Sequence, residues 1–149
     1  MTQSINPAIT FSDDLAGVDW DELEALYRAA PLGNKKAAEL KLVFGNSMFK
    51  VFARHGGRLA GVGRVLADGL DCAYLCDIAV LPQYQGTGLG KAIVERLVRL
   101  SANHKKIILY AVPGKEGFYE RFGFRRMTTA MAIFENPASA FARGYLASQ

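Results

Sequence analysis

The sequence is poor in the residues that build metal centres and disulfide frameworks. It holds two cysteines and two histidines in 149 residues. Cys72 and Cys76 stand four apart in an apolar segment, so in a strand they share a face about 13 Å apart, beyond disulfide reach. His55 and His104 lie too far away in sequence to complete a zinc site with them. We therefore expect no metal site and two reduced thiols in or near the core.

Long apolar runs are missing as well. No stretch approaches the roughly 20 apolar residues of a membrane-spanning helix. The first residues, MTQSINPAITFSDD, have neither the basic start nor the apolar centre of a secretory signal. These absences predict a soluble, cytoplasmic protein with no membrane partner.

Charge of one sign is also scarce. The net charge of +4 comes from 18 basic and 14 acidic residues that alternate along the chain. Such a balance is typical of a solvated mixed surface, and it favours a small polyanion, such as a phosphorylated cofactor, over a nucleic acid as partner.

What the sequence does contain is enough apolar material for one core. Half of the residues are hydrophobic, which is ample for a domain of this length. We predict a single domain over residues 1–149, with its core over about 7–136 and a polar tail over 137–149.

The hydrophobic periodicity predicts an α/β fold. After a short β-prone start, Asp19 caps a helix that closes at Pro31, and Asn34 is the expected cap of a second helix ending at Gly45. Strands are expected over 48–54, 58–67, 72–81, 106–112 and 131–135, with a long helix after residue 87 and a short one over 116–122. A strand–helix–strand crossover attached to an antiparallel meander gives a mixed, mostly antiparallel sheet flanked by helices.

The most informative segment joins a buried strand to a helix, in residues 76–93, CDIAVLPQYQGTGLGKAI. Glycines at 86, 88 and 90 let the backbone approach a ligand, and a helix start offers unpaired N–H groups to an anion. The spelling is not that of a P-loop, because Ala92 follows Lys91 where Ser or Thr is required. It is not the dinucleotide pattern GxGxxG either, because Lys91 replaces its third glycine.

Two motifs together resemble the GNAT superfamily of N-acetyltransferases. Gln85, Gly88 and Gly90 spell Gln-x-x-Gly-x-Gly, which is similar to the acetyl-CoA pyrophosphate loop of that family. Residues 117–124, GFYERFGF, resemble its other mark, a tyrosine on a short helix followed by Gly-Phe. The resemblance covers residues 58–134 well and the first fifty-odd residues only in element order. It implies the GNAT fold and acetyl-CoA as co-substrate.

The resemblance also implies which residues would bind acetyl-CoA. The pantetheine arm would lie along the strand at Ile78, Ala79 and Val80. The pyrophosphate would lie on backbone N–H groups of the loop, at Gln85, Gly86, Thr87, Gly88, Leu89, Gly90 and Lys91.

The chemistry that the resemblance implies is direct attack of an amine on the thioester, without an acyl-enzyme. The N–H of Ile78 would face the acetyl carbonyl, and Tyr119 would be the general acid for the leaving thiolate; the alternative for Tyr119 is a place in an aromatic core. An asparagine that many relatives carry before this tyrosine is absent near Val112, so the cofactor contact there is missing or made otherwise.

Asp77 is the one carboxylate in the apolar strand, and a charge there requires a reason. Three roles are open: a base acting through water, an anchor for the substrate amine, or a structural hydrogen-bond acceptor at a strand bulge.

The acceptor is expected to meet the segment between the first two helices, at Tyr27, Arg28 and Leu32, together with Asp77. The aromatic, apolar and basic character there favours a small or arylalkyl amine, and the motif segments are similar to small bacterial and plastid-type members that act on arylalkylamines such as serotonin. The alternatives are a protein lysine or N-terminal acetyltransferase and a non-catalytic acyl-CoA sensor. Apolar residues near the C-terminus leave a homodimer open.

Overall fold

The structure is a computed structural model that describes residues 5–148. The chain divides into two compact units, one ending at Leu109 and the other beginning at Tyr110. The first unit contains, in order, β1 (Ile9–Ser12), α1 (Trp20–Ala29), α2 (Ala37–Gly45), β2 (Phe49–His55), β3 (Arg58–Ala67), β4 (Cys72–Val80), α3 (Leu89–Leu100) and β5 (Lys106–Ile108). The second contains α4 (Glu116–Glu120) and α5 (Pro137–Ala142). None of the helices within residues 5–148 has the length and apolar character needed to cross a membrane. The single-domain organisation expected from the chain length stays a prediction.

The sheet of the first unit has the strand order β1-β2-β3-β4-β5. The first four strands pair antiparallel, and β5 joins β4 in parallel after the crossover through α3. This is the mixed, mostly antiparallel sheet flanked by helices that the periodicity predicts, so the predicted fold class is confirmed.

One face of the sheet packs against α1 and α2. Leu23 and Tyr27 of α1, Phe44 of α2 and Phe52 of β2 belong to one buried cluster. The helix α1 starts as predicted, because the Asp19 carboxylate accepts the N–H groups two and three residues ahead at 3.0 and 3.1 Å.

The start of α2 differs from the prediction. Asn34 does not cap it; Lys36 precedes its first turn, and the Glu39 carboxylate accepts the Lys36 N–H at 2.8 Å. Glu24 of α1 also accepts the N–H of Ala37 at 2.7 Å. A carboxylate from the neighbouring helix therefore takes part in placing the start of α2, which the local sequence alone does not reveal.

The opposite face packs against α3, and two glycines of β3 allow the close approach. A methyl group at Gly61 would lie 2.7 Å from Ile93 Cδ1, and one at Gly63 would lie 2.7 Å from Leu97 Cδ1. The apolar stripe of α3 is buried in this contact. Because α3 rests directly on the β3 backbone, its first turn has a defined position relative to the end of β4.

The last elements differ from the prediction. The strand β5 ends at Ile108 rather than at Val112, and residues 131–135 form no strand. Met131 and Ile133 are 97% and 102% exposed, so their alternation does not mark a half-buried strand. The expected polar tail contains α5, where the Asn136 side chain accepts the N–H of Ser139 at 3.0 Å.

Candidate functional site

The strand β4 is distorted in the middle, at Asp77. Its register against β3 shifts between the partners Val62 and Arg64, so that Asp77 and Ile78 together stand opposite Gly63. Asp77 has a φ of 57°, the one positive φ at a non-glycine position in residues 5–148. A bulge of this kind turns a peptide out of the regular ladder.

The carbonyl of that peptide is bonded from α1. The Tyr27 hydroxyl donates to the Asp77 carbonyl oxygen over 2.6 Å. Tyr27 is only 3% exposed, and its burial, assisted by the nearby Asp77 charge, raises the pKa of the phenol well above its ordinary 10.0. The hydroxyl therefore keeps its proton and remains a donor.

The side chain of Asp77 is bonded separately. Arg64 Nε donates to Asp77 Oδ2 over 2.7 Å, Arg64 Nη1 donates to Ser47 Oγ over 3.2 Å, and Lys35 Nζ lies 3.7 Å from the same carboxylate oxygen. Burial by itself would lower the pKa of Arg64, but the Asp77 carboxylate together with the neighbouring Cys76 and Tyr27 outweighs it, and the pKa rises. Of the three roles open for Asp77, this arrangement matches the hydrogen-bond acceptor at a bulge, because a base or an amine anchor would compete with Arg64.

Beyond the bulge, β4 pairs with a strand on one side only within the described residues 5–148. Its pairing with β5 ends at Tyr74, opposite Ile108, whereas Ala79 and Val80 still pair with β3. The segment that the family resemblance assigns to the pantetheine arm, residues 78–80, thus lies past the last β5 pair. A free strand edge is the usual place for an extended group to add its own hydrogen bonds.

The loop after β4 presents a row of donors. Gly86 and Gly88 have φ values of 77° and 88°, and this left-handed backbone leads directly into α3. Within residues 5–148, no acceptor is found for the backbone N–H groups from Thr87 to Lys91. Consecutive free N–H groups at the positive end of a 12-residue helix fit a diphosphate.

Gln85 has a different part in this loop from the one expected. Its backbone N–H donates to the Pro82 carbonyl over 3.2 Å, and its side-chain amide donates to the Val80 carbonyl over 3.1 Å. Its N–H is therefore committed to the turn, and the side chain ties the loop to the end of β4. Thr87 Oγ1 adds a bond to the Tyr84 carbonyl over 2.5 Å.

The loop and the open edge of β4 together fit the two ends of acetyl-CoA that the resemblance implies. The donors from Thr87 to Lys91 suit its diphosphate, and residues 78–80 suit its amide-containing arm. As for metals, no group of three or more potential ligand side chains occurs in the described part of the chain.

Tyr119 lies on α4 in the second unit. Its ring contacts those of Phe118 and Phe124, with centroids 5.0 and 6.1 Å away. Burial raises the pKa of this phenol, and its hydroxyl has no hydrogen-bond partner among residues 5–148. The residue thus belongs to an aromatic cluster, as the alternative interpretation expected, and still has a protonated hydroxyl available to donate.

Three of the four residues expected at the acceptor site come together. Tyr27, Leu32 and Asp77 line one small cleft, whose other lining residues are Gly33, Lys35 and Leu40. Arg28 is not among them: it is exposed and paired with Glu24, one turn earlier in α1, at 2.5 Å.

Lys35 and Arg64, the two cations around Asp77, were missed by the sequence analysis. The available signal was the isolated carboxylate in an apolar strand, which calls for a partner but does not say which one.

The comparisons with known proteins agree on one family. A family model described as an acetyltransferase (GNAT) domain matches residues 26–135. Among solved structures, a protein of Deinococcus radiodurans R1 that carries an acetyltransferase assignment superposes with a TM-score of 0.78 at 25% identity, covering 91% of this chain and 94% of that one.

Curated relatives include proteins with different acceptors in their names. An uncharacterized N-acetyltransferase of Prochlorococcus marinus is 31% identical over 72% of this chain and 63% of its own length. A histone acetyltransferase of Glycine max is 33% identical over 72% of this chain and 52% of its own length. Serotonin N-acetyltransferase 2 of Oryza sativa is 41% identical over 46% of this chain and 35% of its own length. The chain thus spans less than two thirds of each of these relatives.

Proposed function

The chain belongs to the GNAT acetyltransferase family, and from that membership we propose that it is an acetyl-CoA-dependent N-acetyltransferase acting on a small amine, with arylalkyl amines as the first candidates. The observation that supports the activity best is the row of free N–H groups from Thr87 to Lys91 next to the open edge of β4. No side chain caps this helix start, so its N–H groups are left for water or for a ligand.

Each part of the site has a role in this reaction. Acetyl-CoA supplies an activated thioester. The N–H groups from Thr87 to Lys91 bind its diphosphate, and the N–H of Ile78 donates to the carbonyl oxygen of the acetyl group. The acceptor nitrogen would form the C–N bond as the C–S bond breaks, and the amine proton would pass to water. In the role that the family resemblance gives it, Tyr119 would give its phenolic proton to the sulfur, and the proton released to water would restore the phenol. The raised pKa of Tyr119 keeps the phenol protonated at neutral pH, as a general acid must be before it donates.

The acceptor proposal is supported by the cleft beside the bulge. Leu32 at this cleft is 41% exposed and offers an apolar surface to an acceptor, whereas Tyr27 and Leu40 are buried. Lys35 at the same cleft repels a second positive charge, so a monoamine is favoured over a polyamine or a lysine-rich peptide. The relative from Oryza sativa is named for serotonin, an acceptor of this kind.

The second candidate is a protein acetyltransferase. It is supported by the Glycine max relative, which is named a histone acetyltransferase and matches a larger share of this chain than the rice enzyme does. The cytoplasmic location and the homodimer expected from the sequence stay predictions.

The test of the proposed function begins with calorimetric binding of acetyl-CoA and CoA to the wild type and to Gly88→Trp. The indole in the loop should weaken binding by roughly 100-fold or more, as expected if two charge-assisted hydrogen bonds are lost. Gly69→Trp is the matched control, because Gly69 has a φ of 87° against 88° for Gly88 but lies in the turn between β3 and β4. A folded wild type that binds neither ligand would refute the proposal.

Turnover then identifies the acceptor. Arylalkylamines are assayed beside a histone mixture and a cell lysate analysed by mass spectrometry for acetylated lysines and N-termini. Tyr119→Phe should bind acetyl-CoA normally and lose about 100-fold or more in turnover, whereas Tyr145→Phe in the same unit should not. Acetylated proteins without turnover of any small amine would favour the second candidate, and binding without any turnover would indicate a sensor.

A further inference from the structure

We infer that Tyr27 is a positioning residue for acetyl transfer: its hydroxyl orients and polarises the peptide group between Asp77 and Ile78, whose N–H contacts the acetyl carbonyl. The inference rests on the proposed function, since it requires that contact. It assigns to a buried residue of α1 a part in the reaction that is separate from lining the acceptor cleft.

The geometry follows from the planarity of one peptide. The carbonyl of Asp77 and the N–H of Ile78 belong to the same group, and no peptide bond among the described residues is cis. In a trans peptide the C=O and N–H bonds point in opposite directions. The Tyr27 hydroxyl, 2.6 Å from the carbonyl oxygen, therefore determines that the N–H of Ile78 points away from α1.

This peptide needs an external bond to keep its orientation. Asp77 has a φ of 57°, and a left-handed conformation at a residue other than glycine costs free energy that the surrounding structure must offset. The register shift opposite Gly63 removes the regular ladder pairing at this point. The backbone is held by Tyr27 and the Asp77 side chain by Arg64, so the two bonds restrain the two parts of the same residue.

The bond also changes how well the peptide donates. A hydrogen bond to a carbonyl oxygen draws electrons toward it and makes the N–H at the other end of the same group a stronger donor, by about 10–30% per bond in condensed phases. Tyr27 is 3% exposed, so water does not compete for its proton. The effect at the N–H grows with the negative charge on the acetyl oxygen, and it therefore stabilises the transition state more than the bound donor.

A merely structural role predicts something different. Tyr27 packs in the buried cluster with Leu23 and Phe44, so removal of its hydroxyl could lower stability alone. The control is Ser101→Ala, which removes another buried hydroxyl that donates to a main-chain carbonyl, that of Leu97, over 2.8 Å. Ser101 is 0% exposed and lies at the end of α3 far along the chain from the bulge.

The experiment compares the full-length wild type, Tyr27→Phe and Ser101→Ala. For Tyr27→Phe we expect kcat to fall roughly 10- to 100-fold, which is no more than the fall expected when a direct oxyanion donor is removed. The Kd of acetyl-CoA should not change. Ser101→Ala should lose thermal stability and keep kcat. The infrared stretch of the thioester carbonyl in bound acetyl-CoA labelled with ¹³C, recorded without acceptor, should shift toward its value in water only in Tyr27→Phe.

The outcomes separate this inference from the proposed function. If the wild type binds and turns over acetyl-CoA while Tyr27→Phe keeps both its kcat and the carbonyl frequency, Tyr27 is structural and the inference is wrong. A fall in kcat shared equally by Ser101→Ala also overturns it. Should Tyr27→Phe fail to fold, 3-fluorotyrosine at position 27 decides, because the more acidic hydroxyl must lower the carbonyl frequency and an unchanged frequency refutes the inference.

Discussion

In the first half of β4, Ala73 and Tyr74 pair with both β3 and β5. In the second half, Cys76, Ala79 and Val80 pair with β3 alone among the described strands, and the bulge at Asp77 interrupts the ladder. The first half has regular backbone and its nearest ion pair, Lys106 with Asp71, is about half exposed on both sides. The second half combines a left-handed residue, a buried arginine and an open edge. Within one strand, the costly features are thus confined to the half that the proposed reaction uses.

The largest expected effect comes from removing the cation of the open half. Arg64→Met leaves the Asp77 carboxylate, 20% exposed, without its bonded partner. We expect a loss of about 3 kcal/mol in the free energy of unfolding, at the lower end for a broken buried pair because Asp77 keeps some contact with water. Urea denaturation measures the loss. Arg64→Lys should restore part of it, and an Arg64→Met protein as stable as the wild type would mean that the pair contributes nothing.

A smaller effect is expected from crowding the strand opposite the bulge. In Gly63→Ala the new methyl group would lie 2.7 Å from Leu97 Cδ1 and 3.1 Å from Ile78 Cδ1, so α3 or the bulge must move. The expected loss is about 1–3 kcal/mol. Gly45→Ala is the control, since nothing lies within 4 Å of a methyl group there. Equal stability of the two variants would show that α3 adjusts without strain.

The thiol of Cys76 gives the open half a dependence on pH. Burial raises the pKa of Cys76 from its ordinary 9.0 to about 11. The unfolded chain therefore loses this proton first, and the stability due to the neutral buried thiol is lost as pH rises between those values, at about 1.4 kcal/mol per pH unit.

Chemical denaturation at several pH values tests this effect. Cys76→Ala should show a shallower alkaline loss than the wild type, while Cys72→Ala, at the paired end of β4, should keep the wild-type slope because Cys76 is still present. Identical slopes in all three proteins would contradict the assignment to Cys76.

The smallest effect is expected in the paired half. Lys106→Met removes the partner of Asp71, but the side chains of this pair are 54% and 51% exposed, and such pairs contribute little in water. The midpoint of urea unfolding should not move beyond experimental error. A loss as large as that of Arg64→Met would remove the distinction between the two halves.

The fold could be predicted wherever its cause is local. Alternation and the glycines at the turn give β3 as Arg58–Ala67, the range found in the structure, and the carboxylate of Asp19 caps α1 as expected. The prediction fails where a distant group decides, as at the start of α2, to which Glu24 of α1 contributes. It also fails for residues 131–135, since an alternating pattern cannot show whether a neighbouring strand exists.

The same division holds for the candidate site. The glycine loop is a local motif, and its position before α3 follows from sequence spacing. The partners of Asp77 do not, because Tyr27, Lys35 and Arg64 come from other elements and meet it only in the fold. The bond from the Gln85 side chain to the Val80 carbonyl also could not be predicted. The motif identifies Gln85, but only the folded turn determines which of its groups are already hydrogen-bonded.

The contact of α3 with Gly61 and Gly63 has a consequence for the choice of donor. The helix start and the bulge belong to one tightly packed body, so the span between the diphosphate donors and the N–H of Ile78 cannot stretch. A donor that must contact both the loop N–H groups and the N–H of Ile78 therefore needs an arm of the right length. Acetyl phosphate, which carries the same acetyl group on a short anion, would reach one point or the other, so in the proposed reaction the loop and the bulge together select the donor by the length of its arm.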